Sequence, residues 1–259
     1  MVYFPTMTAF TRRAFAGSLA GAVAWAQFFV LLTQTRALAG AVSPLMKRWL
    51  DGQIALAKDL RTDVLSPIQW QGAIEALNQT IPLDELLGYV EFDTLASRLE
   101  ALGPGEHRQG LSLTDFAGFR IGTALFYVPK GDAIPPHGHN ALVTAHLILK
   151  GHFHARTFDR VRDEPGRIFL RPHLDMVVGP SSTVSMSDDR DNVHWFVADG
   201  GPVFTFDVVV GRIGQRRYLN TPNHEGRIYV DPASKPGQDD LIAATVIDGV
   251  AAHERYGRA

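Results

Sequence analysis

Gly131-Asp132-Ala133-Ile134-Pro135-Pro136-His137-Gly138-His139 sets two histidines one residue apart, with a glycine separated from the first by five residues. Alternate residues of a β-strand project to the same side, so a strand through His137 and His139 aims both imidazoles at one point. Neutral imidazole is the commonest biological ligand for divalent transition metals. The stretch therefore reads as half of a metal site carried by a strand. His146, His152 and His154 follow closely, which places five of the chain's 10 histidines within eighteen residues. The chain has no cysteine. Disulfides, thiolate ligands and a cysteine nucleophile are thereby excluded, and any metal must be held by His, Asp or Glu.

Working outward from this stretch, the sequence beyond Gly103-Pro104-Gly105 is a series of short runs rich in Val, Ile, Phe and Thr, broken by Gly, Pro and Asp. Such runs predict strands at 119–128, 142–150, 152–159, 166–171, 182–187, 193–198 and 203–210. Many short strands at close spacing imply a mainly β fold, a barrel or double-sheet jelly roll. Before it, from Ser43 to about Leu102, apolar residues recur at helical spacing: Leu45, Met46, Trp49 and Leu50, then Ile54, Leu56, Ala57 and Leu60. Ser43-Pro44 and Ser66-Pro67 have the form of helix starts, serine capping and proline in the first turn. Further helices are expected over 67–79, 82–89 and 92–102. Asp239 to about Arg255 reads as a last helix docked outside. The chain thus divides into a helical extension (40–110), a barrel (111–235) and a C-terminal helix (236–259).

Residues 1–39 read as a targeting segment. Thr11-Arg12-Arg13-Ala14-Phe15 precedes an uncharged stretch from Ala14 to Thr35 that ends in Ala37-Leu38-Ala39. Positive flank, apolar core and small-x-small site are the parts of a signal peptide. The paired arginines resemble the twin-arginine signal, which exports folded proteins, often with a cofactor already loaded. The competing reading is an uncleaved membrane anchor. Either one puts the remainder outside the cytoplasm, in the periplasm or beyond. The net charge of −2, with no basic run longer than a pair, leaves no electrostatic footprint for nucleic acid.

The histidine stretch resembles the first motif of the cupin family: a glycine, five residues, His-x-His, three or four residues, a glutamate, six residues and a glycine. The alignment holds through Gly151 and puts Thr144 where the family usually has its glutamate ligand. The second cupin motif ends in a ligand histidine, and its best match is His194 in Asp191-Asn192-Val193-His194-Trp195-Phe196. The resemblance thus implies a double-stranded β-helix, or jelly-roll barrel, with His137, His139 and His194 on one metal and no carboxylate. Three neutral ligands leave coordination positions open for substrate and O2, as in related non-haem iron sites. All-histidine iron sites occur in the thiol dioxygenase branch, including cysteamine and N-terminal-cysteine dioxygenases. The similarity extends to Gly201-Pro202-Val203-Phe204-Thr205-Phe206-Asp207-Val208, where those enzymes carry an aspartate on the strand after the third histidine.

Several other residues have competing readings. His146, two residues beyond Thr144, shares its face, and is a fourth ligand, a proton relay or a hydrogen-bonded core histidine. His152 and His154 are surface-strand residues or line the cavity mouth. Asp207 lies in an apolar strand where an unpaired carboxylate is costly. It either orients a ligand imidazole or binds substrate, or it forms a salt bridge with Arg120 or Arg156. Tyr127 is an oxygen-side hydrogen bonder or a core tyrosine. Asp159-Arg160 and the run Asp188 to Asp191 read as polar turns.

Together these readings predict an exported Fe(II) dioxygenase acting on a small, thiol-type substrate with O2. Zn, Mn and Ni are the alternative metals, and a homodimer is compatible with the helical extension. The catalytic candidates are Asp207, His146 and Tyr127. The alternative is a non-oxidative cupin, a small-molecule binder or isomerase-like barrel with another metal or none. The membrane enters only through the signal segment if it stays uncleaved.

Overall fold

The computed structural model describes residues 42–113, 116, 118–119, 121–211, 213, 218–220, 227–233 and 239–258. Residues 1–39, expected to be a targeting segment, and Arg120 lie outside the described residues.

Helices come first, and their starts follow the local chemistry. Ser43 Oγ accepts from Met46 N at 3.0 Å to open α1 (Pro44–Arg61). Ser66 and Gln69 form a reciprocal capping box that opens α2 (Pro67–Asn78). Two short helices follow, α3 (Leu83–Tyr89) and α4 (Phe92–Glu100). Among the described residues no helix is long and apolar enough to cross a membrane.

Strands β1 (His107–Leu111), β2 (Ile121–Val128), β3 (Ala133–Gly138), β4 (Leu142–Lys150), β5 (Phe153–Glu164) and β6 (Arg167–Val178) come next. They continue with β7 (Thr183–Met186), β8 (Val193–Ala198), β9 (Val203–Gly211), β10 (Ile228–Asp231) and β11 (Ile242–Ile247), and α5 (Gly249–Tyr256) closes the order. One antiparallel sheet runs β1-β2-β9-β4-β7, and the other carries β3-β8-β5-β6, with neighbours drawn from distant parts of the chain. Strands β2 to β9 thus interleave as two four-stranded halves, β2-β9-β4-β7 and β3-β8-β5-β6, which is a jelly roll, and β1 adds an edge strand to the first half. Hairpin β10–β11 pairs with both β3 and β6 and closes the second sheet into a six-stranded barrel.

The first sheet is buried on both faces, which explains its nearly continuous apolar strands. Leu125, Leu147, Leu149, Phe204 and Phe206 pack with Trp49, Leu50, Phe92 and Leu95 of the helices. Trp49 meets Phe206 at 5.6 Å and Phe92 meets Phe204 at 5.2 Å between ring centroids. Each such fully buried side chain contributes roughly 1.5–3 kcal/mol. The alternate residues Phe126, Val128, Ile148 and Val203 turn the other way and join Ile134, Phe153 and Phe196 between the two sheets. The turn between β4 and β5 needs Gly151, at φ +81°, because a Cβ there would lie 2.2 Å from the Pro202 carbonyl oxygen.

Two expectations change. The segment from Asp239 to Arg255 is not one helix: Ile242–Ile247 is a strand, and helix begins only after Asp248, whose carboxylate caps Ala251 N at 2.8 Å. A short apolar run does not declare helix or strand by itself. Here pairing with β6 and β10 decides. Asp159-Arg160 is no solvated turn, because β5 continues to Glu164. Arg160 is buried, bonds both Asp163 carboxylate oxygens at 2.9 and 2.7 Å, and lies 3.6 Å over the Tyr218 ring.

Candidate metal centre

Pairing of β3 with β8 places His137 directly opposite His194. His139 lies just past the end of β3, and its ring still comes to the same side as that of His137. The ring centroids lie 4.1 Å (His137–His194), 4.8 Å (His137–His139) and 5.5 Å (His139–His194) apart. One nitrogen from each ring falls within 4.8 Å of the other two. Gly138 sits between the ligands where a side chain has no room: its Cβ would be 2.7 Å from Asn192 Oδ1.

His137 and His194 are 1% exposed, and His139 is half-buried. Burial disfavours the imidazolium and holds all three below their ordinary range. His139 goes down to about 3, with Arg227, His146 and Arg108 adding to the effect of burial. His137 Nδ1 donates to the Pro135 carbonyl at 2.8 Å, so Nε2 carries the lone pair. That Nε2 lies 3.2 Å from His139 Nε2. Nitrogens ~2.0–2.1 Å from one metal are about 3.0–3.4 Å apart in octahedral or tetrahedral geometry, so this donor pair fits a divalent transition metal.

The loops holding the ligands are tied to each other. Asn192 Nδ2 donates to the His139 carbonyl at 2.8 Å, and Asp188 Oδ2 accepts from Ala141 N at 2.9 Å. The run Asp188 to Asp191, expected as a polar turn, is therefore a clamp behind the site.

Asp207 and His146 are cross-strand partners on β9 and β4, on the row that faces between the sheets. His146 Nδ1 donates to Asp207 Oδ1 at 2.8 Å, and Thr205 Oγ1 donates to the same oxygen at 2.6 Å. Asp207 thus orients an imidazole, though not one of the three clustered histidines. Arg156 is engaged elsewhere, 3.5 Å from Asp175 and 4.5 Å over the Trp195 ring. The His146 ring is 6.0 Å from that of His194. Thr144 is buried on the same row of β4, and among the described residues no carboxylate joins the cluster.

Tyr127 does not join them. Its neighbours on β2 point between the sheets, whereas Tyr127 packs on the helical side, 4.7 Å from Phe204 and 6.1 Å from His107 between ring centroids. This is the core-tyrosine reading. His154 lies on the outer surface, beside Asp175 and Arg156.

A charged wall was not foreseen. Tyr229 on β10 pairs with His137, its ring 5.7 Å away. Arg227 Nη1 donates to Glu106 Oε1 at 2.5 Å and approaches Tyr229 Oη at 3.4 Å. Burial opposes the Arg227 charge, but Glu106 and Tyr229 outweigh it and hold its pKa above the ordinary value. The signal was the alternation Arg227-Ile228-Tyr229-Val230, a strand with one polar and one apolar face. A second group, Asp159, His173 and Asp191, also brings three ligand-type atoms within 4.8 Å of one another.

No protein-family model matches the chain, and no curated protein matches it. Solved structures similar to it include procruciferin, an 11S globulin from Brassica napus, at 11% identity and TM-score 0.33. That similarity covers 44% of this chain and only 28% of the globulin. A cupin superfamily protein from Desulfitobacterium hafniense is 16% identical with TM-score 0.29, over 40% of this chain and 76% of the other. An oxalate oxidase is 15% identical with TM-score 0.33, over 58% of this chain and 65% of the other.

Proposed function

We propose that the chain is an exported metal-dependent oxidoreductase of the cupin type, using Fe(II) and O2 to oxidise a small, thiol-type substrate. The observation that carries the reading is the convergence of His137, His139 and His194, three imidazoles kept neutral by burial. Neutral nitrogen ligands leave the charge of a divalent ion uncompensated and, on iron, up to three positions open. His137, His139 and His194 would hold the ion, and iron(II) there would supply the electron transfer between O2 and substrate that zinc cannot. The residues supply the rest: Pro135 fixes the His137 tautomer, Asn192 and Asp188 hold the loops, and the core between the sheets limits water. The twin-arginine-type leader supports export of a folded, metal-loaded protein.

The test is elemental analysis of the full chain purified through its own export route, beside a His137→Ala, His139→Ala variant. About one equivalent of iron, lost in the variant, is the expected result. Zinc, manganese or nickel lost in the same way would keep the metal centre and overturn the dioxygenase assignment. No metal after reconstitution would overturn both.

A further inference from the structure

His146 is buried, with its side chain 10% exposed. The Asp207 carboxylate can only accept, so the bond to His146 puts a proton on Nδ1, and in the neutral form of the ring the lone pair is then on Nε2. Thr205 Oγ1 bonds the same carboxylate oxygen and steadies the pair. Among the described residues Nε2 itself has no hydrogen-bond partner. A buried acceptor left open is rare and calls for an explanation. The ring lies beside the metal cluster, 6.0 Å from His194 and 5.6 Å from Phe196.

His146 does not belong to the group whose ligand atoms all lie within 4.8 Å. Nitrogens bound to one metal at about 2.1 Å are at most ~4.2 Å apart. The imidazole therefore stands next to the coordination sphere rather than in it. The charged and titratable groups around it are Asp207 from β9, His194 from β8, His139 beyond β3, and Arg108 from β1, whose charge interacts with Asp207.

Resting on the three-histidine metal site proposed above, we infer that His146 Nε2 is the hydrogen-bond acceptor for a ligand at one of the metal's open positions. The ligand class this selects is protic: an N–H, O–H or S–H on the atom that meets the metal or on the next one. Asp207 and Thr205 are positioning residues, since they act only through the tautomer and orientation of His146.

Two small metal-binding probes separate this role from a structural one: neutral hydrazine, which has N–H donors, and azide, which has none. Both are titrated into cobalt(II)-loaded full chain and followed by the visible spectrum. His146→Phe keeps the ring and removes the acceptor, and His146→Gln keeps an acceptor. The expected result is one cobalt in all three proteins and hydrazine binding weaker by about tenfold in His146→Phe. Azide binding should stay within about twofold, and His146→Gln should recover most of the hydrazine affinity. An equal loss for both probes, unchanged hydrazine binding, or loss of cobalt from His146→Phe would overturn the inference while the wild-type metal centre stands. Wild type that takes up no cobalt would remove the metal centre and the inference together. If His146→Phe does not fold, 15N-histidine NMR of zinc-loaded wild type decides. The His146 Nε2 resonance should move with hydrazine and not with azide, and a resonance unmoved by hydrazine overturns the assignment.

Discussion

Two groups of metal-capable side chains approach the start of β8, three residues apart in the chain at Asp191 and His194, and they differ in how far they satisfy themselves. In the first, burial holds the pKa values of His137, His139 and His194 below their ordinary range, and His137 aims its lone pair at His139 Nε2. In the second, the Asp191 carboxylate accepts from Thr157 Oγ1 and from His173 Nδ1 at 2.7 Å, and forms an ion pair with the Arg190 guanidinium, Nε at 3.3 Å. The Asp191 backbone N–H is in turn bonded to Asp159 Oδ1 at 2.9 Å. In both groups the three ligand-type atoms lie within 4.8 Å of one another. What separates them is unmet demand: the carboxylates have found protons and cations, whereas the imidazoles have lone pairs to offer. The second group is a fastener for the loop that carries His194, and the first is a site.

Acid gives the largest effect on this contrast. The three clustered imidazoles have folded pKa values depressed below about 6.5, so the unfolded chain binds protons that the folded one excludes. Metal-free protein should be most stable above pH ~6.5 and lose stability as pH falls below it, by up to ~1.4 kcal/mol per pH unit for each histidine. Urea unfolding between about pH 7.5 and pH 5 measures this slope, and the His137→Ala, His139→Ala variant should be markedly flatter. Equal slopes would erase the distinction between the groups.

Asp191→Ala comes next. It strands the buried Thr157 hydroxyl and puts alanine at φ +57°, together costing about 2–3 kcal/mol. Denaturant unfolding should show that loss while metal content of the folded protein stays at the wild-type value. Metal lost in step with Asp191 would make the second group part of the site. The smallest effect belongs to His173→Ala, because that side chain is 53% exposed. It should change stability by less than about 0.5 kcal/mol and leave metal content unchanged. Loss of a second equivalent of metal would contradict the fastener reading.

Much of the fold was legible because its signals are local. Serine-proline caps opened α1 and α2 at the expected residues, and β4 and β8 have the bounds their apolar runs suggested. The β11 strand was not legible, since Ile242–Ile247 is too short to state its own period and takes its conformation from its partners. Tyr127 could not be placed either. An apolar strand covered on both faces gives no sign of which side looks into the barrel.

The sequence by itself determined that His137 and His139 share a side, because a strand's period is a local property of the backbone. It also determined that no thiolate stands beside them. Only the tertiary structure decided that His194 meets His137, that Asp207 spends its charge on His146, and that Asp191 belongs to a fastener. Each of those is a contact across paired strands or between loops. Register and crossover, which set such contacts, are properties of the assembled sheets and not of any one segment.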